Sequence, residues 1–140
     1  MSEFVKITVS AEVHKPIATV WESWTDPKHI VNWNFASDDW HCPSAENDIR
    51  TGGKFSAVMA AKDGSFSFEF GGVYSFVDAQ KTIEYKMGDG RSVSIAFESK
   101  GNLTTVTETF DAETQNPVEM QKGGWQSIMN NFKKYTESLK

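Results

Sequence analysis

The sequence predicts an α+β fold in which one curved antiparallel sheet wraps around a long C-terminal helix. Five segments between residues 52 and 110 are rich in Val, Ile, Phe, Tyr and Thr, and short polar turns separate them. An apolar stripe of helical period follows from residue 117 onwards. The length of 140 residues is that of one domain, so we expect a single domain over residues 1–140.

The N-terminal part predicts one strand and two short helices. In EFVKITVSAEV, Val5 and every second residue up to Val13 form one apolar face, which is typical of a half-buried strand. Pro16 suits the first position of a helix over KPIATVWESW. Asp26 can cap a second short helix that starts at Pro27.

Residues 34–50, NFASDDWHCPSAENDIR, show no periodicity and predict a long loop. Loops of this length in compact domains often carry function.

The central part predicts five strands that pair as antiparallel neighbours, because only short turns connect them. The strand segments are GGKFSAVMAA, SFSFEFGGVYSFV, KTIEYKM, RSVSIAFES and NLTTVTETF, and the turns include KDGS, DAQK, GDGR and KGN. With the first strand the predicted sheet has six strands. Gly71 and Gly72 lie inside one segment and predict a bulge or bend that curves the sheet.

The last segment predicts one helix from Pro117 to Leu139, with Asn116 as its cap and Glu119 completing a capping box. At 1.5 Å per residue this helix is about 34 Å long, which is enough to cross the concave face of a six-stranded sheet. The space between helix and sheet can be filled by side chains or can hold a ligand.

Two adjacent glycines interrupt this helix directly before its tryptophan. In KGGW, Gly123 and Gly124 each cost the helix about 1 kcal/mol relative to alanine. We expect them either to allow close packing of the backbone against the sheet or to permit a local opening beside Trp125.

Charge, hydropathy and cysteine content limit the classes of function that the sequence favours. The net charge is −5 and no cluster of Lys or Arg occurs, which disfavours nucleic-acid binding. No apolar run approaches the length of a membrane span, and the N-terminus has no apolar signal core. The single cysteine, Cys42, cannot form an internal disulfide framework, so we expect a cytoplasmic location.

Four stretches in order along the chain resemble a known family: PIATVWESWTDPKHIVNW (16–33), DIRTGGKF (48–55), KDGSFSFEFGGVYSFV (62–77) and GGWQSIMNNFKKY (123–135). They are similar to the START-like proteins of the SRPBCC superfamily. Within it they most resemble the domain named for activators of the ninety-kilodalton heat-shock protein's ATPase. The resemblance implies a helix-grip fold, like that of the birch-pollen allergen, with a hydrophobic cavity under the C-terminal helix.

Apolar residues of the sheet and the last helix are the candidate ligand-binding residues, and a rigid core is the alternative for each of them. From the sheet they are Phe55, Met59, Phe68, Phe70, Tyr85, Met87 and Phe97, and from the helix Trp125, Met129 and Phe132. Trp33, Trp40 and His41 are candidates for the rim, where the two tryptophans could lie over the cavity.

Motifs for covalent or metal chemistry are missing. There is no nucleophile elbow, phosphate-binding loop or dinucleotide fingerprint. Asp38, Asp39, His41 and Cys42 are too close together in sequence for the usual spacing of zinc ligands, so we expect no metal and no cofactor. His41 is the one candidate for an acid or base near neutral pH.

Three functions follow. We expect first a protein that binds an apolar or aromatic small molecule, with no catalytic residue assigned. The resemblance implies two alternatives: a co-chaperone-like interaction domain that stimulates a heat-shock ATPase, and a cyclase- or hydrolase-like enzyme that uses the same cavity. An exposed tryptophan or a free sheet edge would favour a homodimer.

Overall fold

A computed structural model describes residues 5–139, so Glu3 and Phe4 of the predicted first strand and Lys140 lie outside the described residues. The elements in chain order are β1 (Lys6–Val13), α1 (Ile17–Thr25), α2 (Pro27–Ile30), β2 (Trp40–Asn47), β3 (Lys54–Ala61), β4 (Ser67–Asp78), β5 (Thr82–Lys86), β6 (Ser92–Lys100), β7 (Leu103–Asp111) and α3 (Val118–Ser138).

One sheet of seven strands forms the frame, in the order β1-β7-β6-β5-β4-β3-β2, and every neighbouring pair is antiparallel. The five central strands and the turns between them are where the sequence predicted them. Strands β2 to β7 follow one another as hairpins, and the chain crosses the sheet only to place β1 beside β7. This topology brings the first and last strands together and leaves β1 and β2 as the two edges.

The prediction of a loop over residues 34–50 was wrong for Trp40–Asn47, which form β2. The strand pairs with β3 only, and its register shifts between His41 and Ser44. Pro43 lies at that irregularity and has no N–H to donate, which an edge strand tolerates. The sheet therefore has seven strands instead of the six predicted. The additional strand is β2, whose sequence lacks the regular apolar pattern on which the prediction relied.

Gly71 and Gly72 lie where β4 approaches its neighbours most closely. A Cβ atom on Gly71 would lie 2.4 Å from the Phe55 carbonyl oxygen, and one on Gly72 would lie 2.6 Å from the Lys86 carbonyl oxygen. The irregular register of β4 lies farther along, between residues 74 and 76. The glycines are thus required for close strand approach, and the bulge predicted at them lies a few residues later.

Strand β1 buries one face, as the alternation predicted. Ile7, Val9 and Val13 are buried in the core. Val5, which the alternation placed on the same face, is 57% exposed. It precedes the first residue of β1, at the end of the sheet, so that part of the prediction was wrong.

The two short helices are confirmed. The Asp26 carboxylate accepts the N–H of Lys28 at 2.9 Å and caps α2, with Pro27 as the first helical residue. Pro16 caps α1 instead of occupying its first turn.

Helix α3 has the predicted bounds to within one residue, but its cap is different. The residue before the helix is Pro117, which has no side-chain cap bond. The Glu113 carboxylate accepts the N–H of Asn116 at 2.7 Å, and the Gln121 side chain donates to the Asn116 carbonyl at 2.8 Å. The turn before α3 is therefore held by Glu113 on one side and by Gln121 of the helix on the other, and the predicted capping box with Glu119 does not form.

Aromatic rings join α3 to α1 and to the segment that follows α2. The Phe132 ring lies 4.8 Å from the Trp24 ring and 4.9 Å from the Trp33 ring, both edge to face. The Trp33 indole N–H donates to the Ser23 carbonyl at 2.9 Å. This cluster packs the second half of α3 against α1 and the segment after α2.

Candidate functional site: an aromatic cavity under the last helix

A cavity of about 390 Å³ lies between the concave face of the sheet and the first half of α3. Its floor comes from β2, β3, β4, β5 and β7, and α3 closes it with Gly124, Trp125 and Ile128. The segment between α2 and β2 forms another wall. The Asn131 side chain of α3 donates a hydrogen bond to the Phe35 carbonyl in this segment and so ties the wall to the helix.

Eight of the predicted ligand-binding residues line this cavity: Trp33, Trp40, Phe55, Met59, Phe68, Phe70, Tyr85 and Trp125. The structure does not bring the other five to the cavity wall: His41, Met87, Phe97, Met129 and Phe132.

These five residues lie in three other parts of the structure: the packed core, a turn and the exposed edge of the sheet. Met129 and Phe132 are buried in the packed half of α3, and the Phe97 ring lies 5.3 Å from that of Trp21 in the core. Met87 follows β5, in the turn before β6. His41 is exposed on the edge strand β2, so the predicted acid or base of an enzyme does not face the cavity.

Edge-to-face and tilted ring contacts build the wall. The Phe55 ring lies 4.6 Å from the Tyr85 ring and 5.1 Å from the Tyr74 ring. The Phe70 ring meets the Trp125 ring at 5.9 Å. Aromatic pairs of this geometry add to the stabilisation from burial, so contacts within the protein support the wall.

The open end of the cavity carries a small exposed aromatic cluster. The Trp40 ring lies 6.1 Å from the rings of both Phe66 and Phe68. Phe66 is 58% exposed and Phe68 is 42% exposed. Trp33, by contrast, is 4% exposed, so it is a fixed part of the wall and not a lid.

Polar side chains converge at one place on the wall. The Tyr74 hydroxyl donates to the Asn47 side-chain oxygen at 2.5 Å, and the Asn47 amide donates to the Thr25 carbonyl at 2.7 Å. This chain joins β4 to the end of α1 across β2. Burial raises the pKa of the Tyr74 hydroxyl, so it stays protonated and keeps donating.

Glu108 is a buried acidic residue of the cavity wall that the sequence analysis missed. It lies on β7 between the buried Val106 and Phe110, faces the cavity and is 7% exposed. Burial raises the pKa of its carboxyl group to about 8. The alternation of NLTTVTETF contained the signal, because residues 106, 108 and 110 must share one face of the strand.

The reactive residue types in SDDWHCP do not form a site. Asp38 and Asp39 are exposed, whereas Cys42 is buried on β2. Burial raises the pKa of the Cys42 thiol, which disfavours the nucleophilic thiolate.

Glu22, Asp26 and His29 bring three potential metal-ligand atoms within 4.8 Å of one another. Protein groups already engage two of them. Asp26 caps α2, and the His29 ring hydrogen-bonds the Tyr135 hydroxyl at 2.6 Å. Capping and hydrogen bonding therefore account for the cluster, and we assign no metal to it.

The double glycine does not serve close packing. A Cβ atom on Gly123 or Gly124 would meet no atom within 4 Å apart from the adjacent helix backbone. Gly123 is exposed, whereas Gly124 is part of the cavity wall. The first interpretation of the pair, a close backbone approach to the sheet, was therefore wrong.

Comparison with known proteins shows which family the chain belongs to. Residues 14–137 match the family described as Activator of Hsp90 ATPase homolog 1-like protein. The chain belongs to this family. An AHSA1-like protein from Aeromonas hydrophila is 44% identical, with a TM-score of 0.89 over 96% of this chain and 93% of that one. A protein from Cytophaga hutchinsonii is 52% identical, with a TM-score of 0.81 over 94% and 92% of the two chains.

Solved structures of lower sequence identity share the fold. A protein from Nitrosomonas europaea is 19% identical, with a TM-score of 0.84 over 97% of this chain and 96% of that one. The helix-grip fold implied by the resemblance is thus confirmed. Proteins of curated function give no match to the chain. Across the described residues, no helix has the length and apolar character that crossing a bilayer requires.

Proposed function

We propose that this AHSA1-like protein binds an apolar or aromatic small molecule in the cavity between α3 and the sheet. The observation that carries the proposal is a cavity of about 390 Å³ whose wall is mostly apolar and rich in aromatic rings. Ligand sites in proteins typically combine such a wall with a few polar groups, and Asn47, Tyr74 and Glu108 are of that kind here.

The two adjacent glycines of α3 supply a matched test. A leucine at position 124 would start at the cavity wall and extend into free space, whereas a leucine at position 123 would start on the exposed side. Both replacements remove a glycine from the same helix, so both raise helix propensity equally. Gly124→Leu should reduce the space for a ligand, and Gly123→Leu is the control.

The probe is 1-methylnaphthalene, titrated into the labelled protein while amide NMR shifts are followed. We expect saturable shifts at cavity residues in the wild type and in Gly123→Leu, and at least about tenfold weaker binding in Gly124→Leu. Equal affinity in the two variants, or no saturable shift at the cavity in the wild type, would contradict the proposal.

A co-chaperone role stays a prediction from the family resemblance. The chaperone's ATPase rate, measured with and without this chain, tests it. Stimulation that persists in Gly124→Leu would separate that role from ligand binding in the cavity.

A further inference from the structure

The cavity contains a buried carboxyl group that the fold does not neutralise. On β7, Glu108 is opposite Ile95 of β6 and opposite Val9 of β1, both of them buried apolar residues. Burial is the cause of the raised pKa of Glu108, and within residues 5–139 no hydrogen bond or cation offsets it. The Glu108 carboxyl group therefore lacks the hydrogen-bond or cationic partner that buried acids normally have.

The other titratable groups on the cavity wall are acids or phenols. They are Tyr74 on β4, Tyr85 on β5 and Glu46 on β2, while α1, α2 and α3 contribute Trp24, Ile30, Gly124, Trp125 and Ile128. No Lys, Arg or His of the described residues lines the cavity. The charge of Glu108 contributes, after burial, to the raised pKa of Tyr85.

The nearest basic influence comes from outside the cavity. Arg91 lowers the pKa of Tyr85 slightly, but its guanidinium pairs with the Asp89 carboxylate at 2.7 Å in the turn before β6. It is thus engaged elsewhere and does not serve as the partner of Glu108.

This electrostatic pattern disfavours anions. A ligand carboxylate or phosphate would enter a cavity that already contains two acids and offers no cation. An ammonium group would instead find a carboxylate to pair with, and aromatic faces attract cations at short range. The net charge of −5 also attracts cationic ligands and repels anionic ones as they approach the protein.

We infer that the ligand is an amine with an aromatic or apolar body, and that its ammonium group pairs with Glu108. The inference rests on the proposed function, since it needs the cavity to be a ligand site. In the free protein near pH 7 the buried carboxyl carries its proton. The amine arrives already protonated, so formation of the ion pair releases the Glu108 proton to solvent.

Release of the Glu108 proton on binding has two measurable consequences. Affinity for the amine should rise by up to tenfold for each pH unit between pH 6 and 8, where free Glu108 is mostly protonated, and should level off above the pKa of about 8. Calorimetry in buffers of different ionisation enthalpy should show close to one proton released per amine bound at pH 7.

The test uses three probes with the same naphthyl body: 1-naphthylmethylamine, 1-naphthylmethanol and 1-naphthoate. We expect the amine to bind at least about tenfold more tightly than the alcohol at pH 8, and the carboxylate to bind most weakly. Glu108→Gln should remove the preference for the amine over the alcohol. Glu84→Gln, an exposed acid on β5, is the control and should keep the preference.

The outcomes separate the two proposals. If the alcohol binds and the amine has no advantage, or if its affinity does not change with pH, the amine inference is wrong and the binding function stands. If none of the probes binds the wild type, the proposed function fails as well. Proton release is measured on the wild type, so the test holds even if Glu108→Gln folds poorly.

Discussion

The indole ring of Trp125 stacks on the ring of Phe110, with 3.7 Å between the ring centroids and 9° between the planes. Trp125 belongs to α3 and Phe110 lies near the end of β7, so the stack fixes the height of the helix above the sheet. Phe110 is fully buried, while Trp125 turns its free side to the cavity. The same pair of rings therefore contributes to the hydrophobic core through Phe110 and to the cavity wall through Trp125.

Truncation of Trp125 should be costly. We expect Trp125→Ala to lower the free energy of unfolding by about 3 kcal/mol, because it removes the stack and leaves a void beside an existing cavity. Urea denaturation measures the change. Val118→Ala on the exposed part of the same helix should change it by less than about 0.5 kcal/mol. Equal effects of the two substitutions would show that the stack does not hold the helix.

Alanine at either helical glycine should stabilise the protein. Gly123→Ala and Gly124→Ala should each raise the free energy of unfolding by up to about 1 kcal/mol, because helix propensity improves and the new methyl group meets no atom within 4 Å. The melting temperature reports the gain. Gly72→Ala is the contrasting variant and should destabilise, since its Cβ would lie 2.6 Å from a carbonyl oxygen. A loss of stability at position 123 or 124 would instead point to a role of the pair in helix opening.

Glu137 should make stability depend on acid pH. Its carboxylate accepts hydrogen bonds from the Lys133 ammonium at 2.7 Å and from the His14 backbone N–H at 2.9 Å. With Lys133 the larger cause, these bonds lower the pKa of Glu137 to about 2. Because the folded state favours the charged form, the contribution is complete above the ordinary value of 4.5 and is lost as the pH falls towards 2.

Glu137→Gln should therefore be less stable than the wild type at pH 7, by about 1 kcal/mol for a partly exposed group. The difference should shrink as the pH falls below 4.5. Denaturant unfolding at several pH values measures it. A difference that is constant from pH 7 to pH 2 would show that the charge of Glu137 is not the cause.

Glu108 should make stability depend on pH with the opposite sign. Burial holds the folded-state pKa at about 8, against an ordinary value of 4.5, so the folded state binds the proton more tightly. Its contribution is complete below 4.5 and is lost as the pH rises to about 8, with a slope of up to about 1.4 kcal/mol per pH unit. Unfolding measured from pH 4 to pH 9 should show this slope in the wild type and in Glu84→Gln but not in Glu108→Gln. The same slope in all three proteins would assign it to other groups.

Local chemistry explains which parts of the fold the sequence predicts. The hairpins from β3 to β7 are readable because each turn carries its own signal, and Asp26 with Pro27 marks the start of α2. Strand β2 was missed because Pro43 and the shift in register between His41 and Ser44 break the alternation that marks a strand. The other edge strand, β1, keeps its alternation and was therefore predicted.

The candidate site was predictable in part for a similar reason. Strand alternation and helical period indicate which residues face inwards, and Phe55, Tyr85 and Trp125 were found in this way. Whether an inward residue lines a cavity or fills the core depends on how α3 lies on the sheet, which is why Phe132 was misassigned. Glu108 lies on the inward face of β7 by the same alternation, but no polar residue of that strand was among the candidates.

The irregular edge strand also bears on how copies of this protein can meet. A free strand edge usually invites another strand to add to it, which leads to aggregation or fibre growth. At β2 the register breaks between His41 and Ser44, and Pro43 offers no N–H there, so an incoming strand would find an interrupted template. At the β2 edge the protein can thus keep its sheet open around a ligand-sized space without offering a regular template for fibril growth.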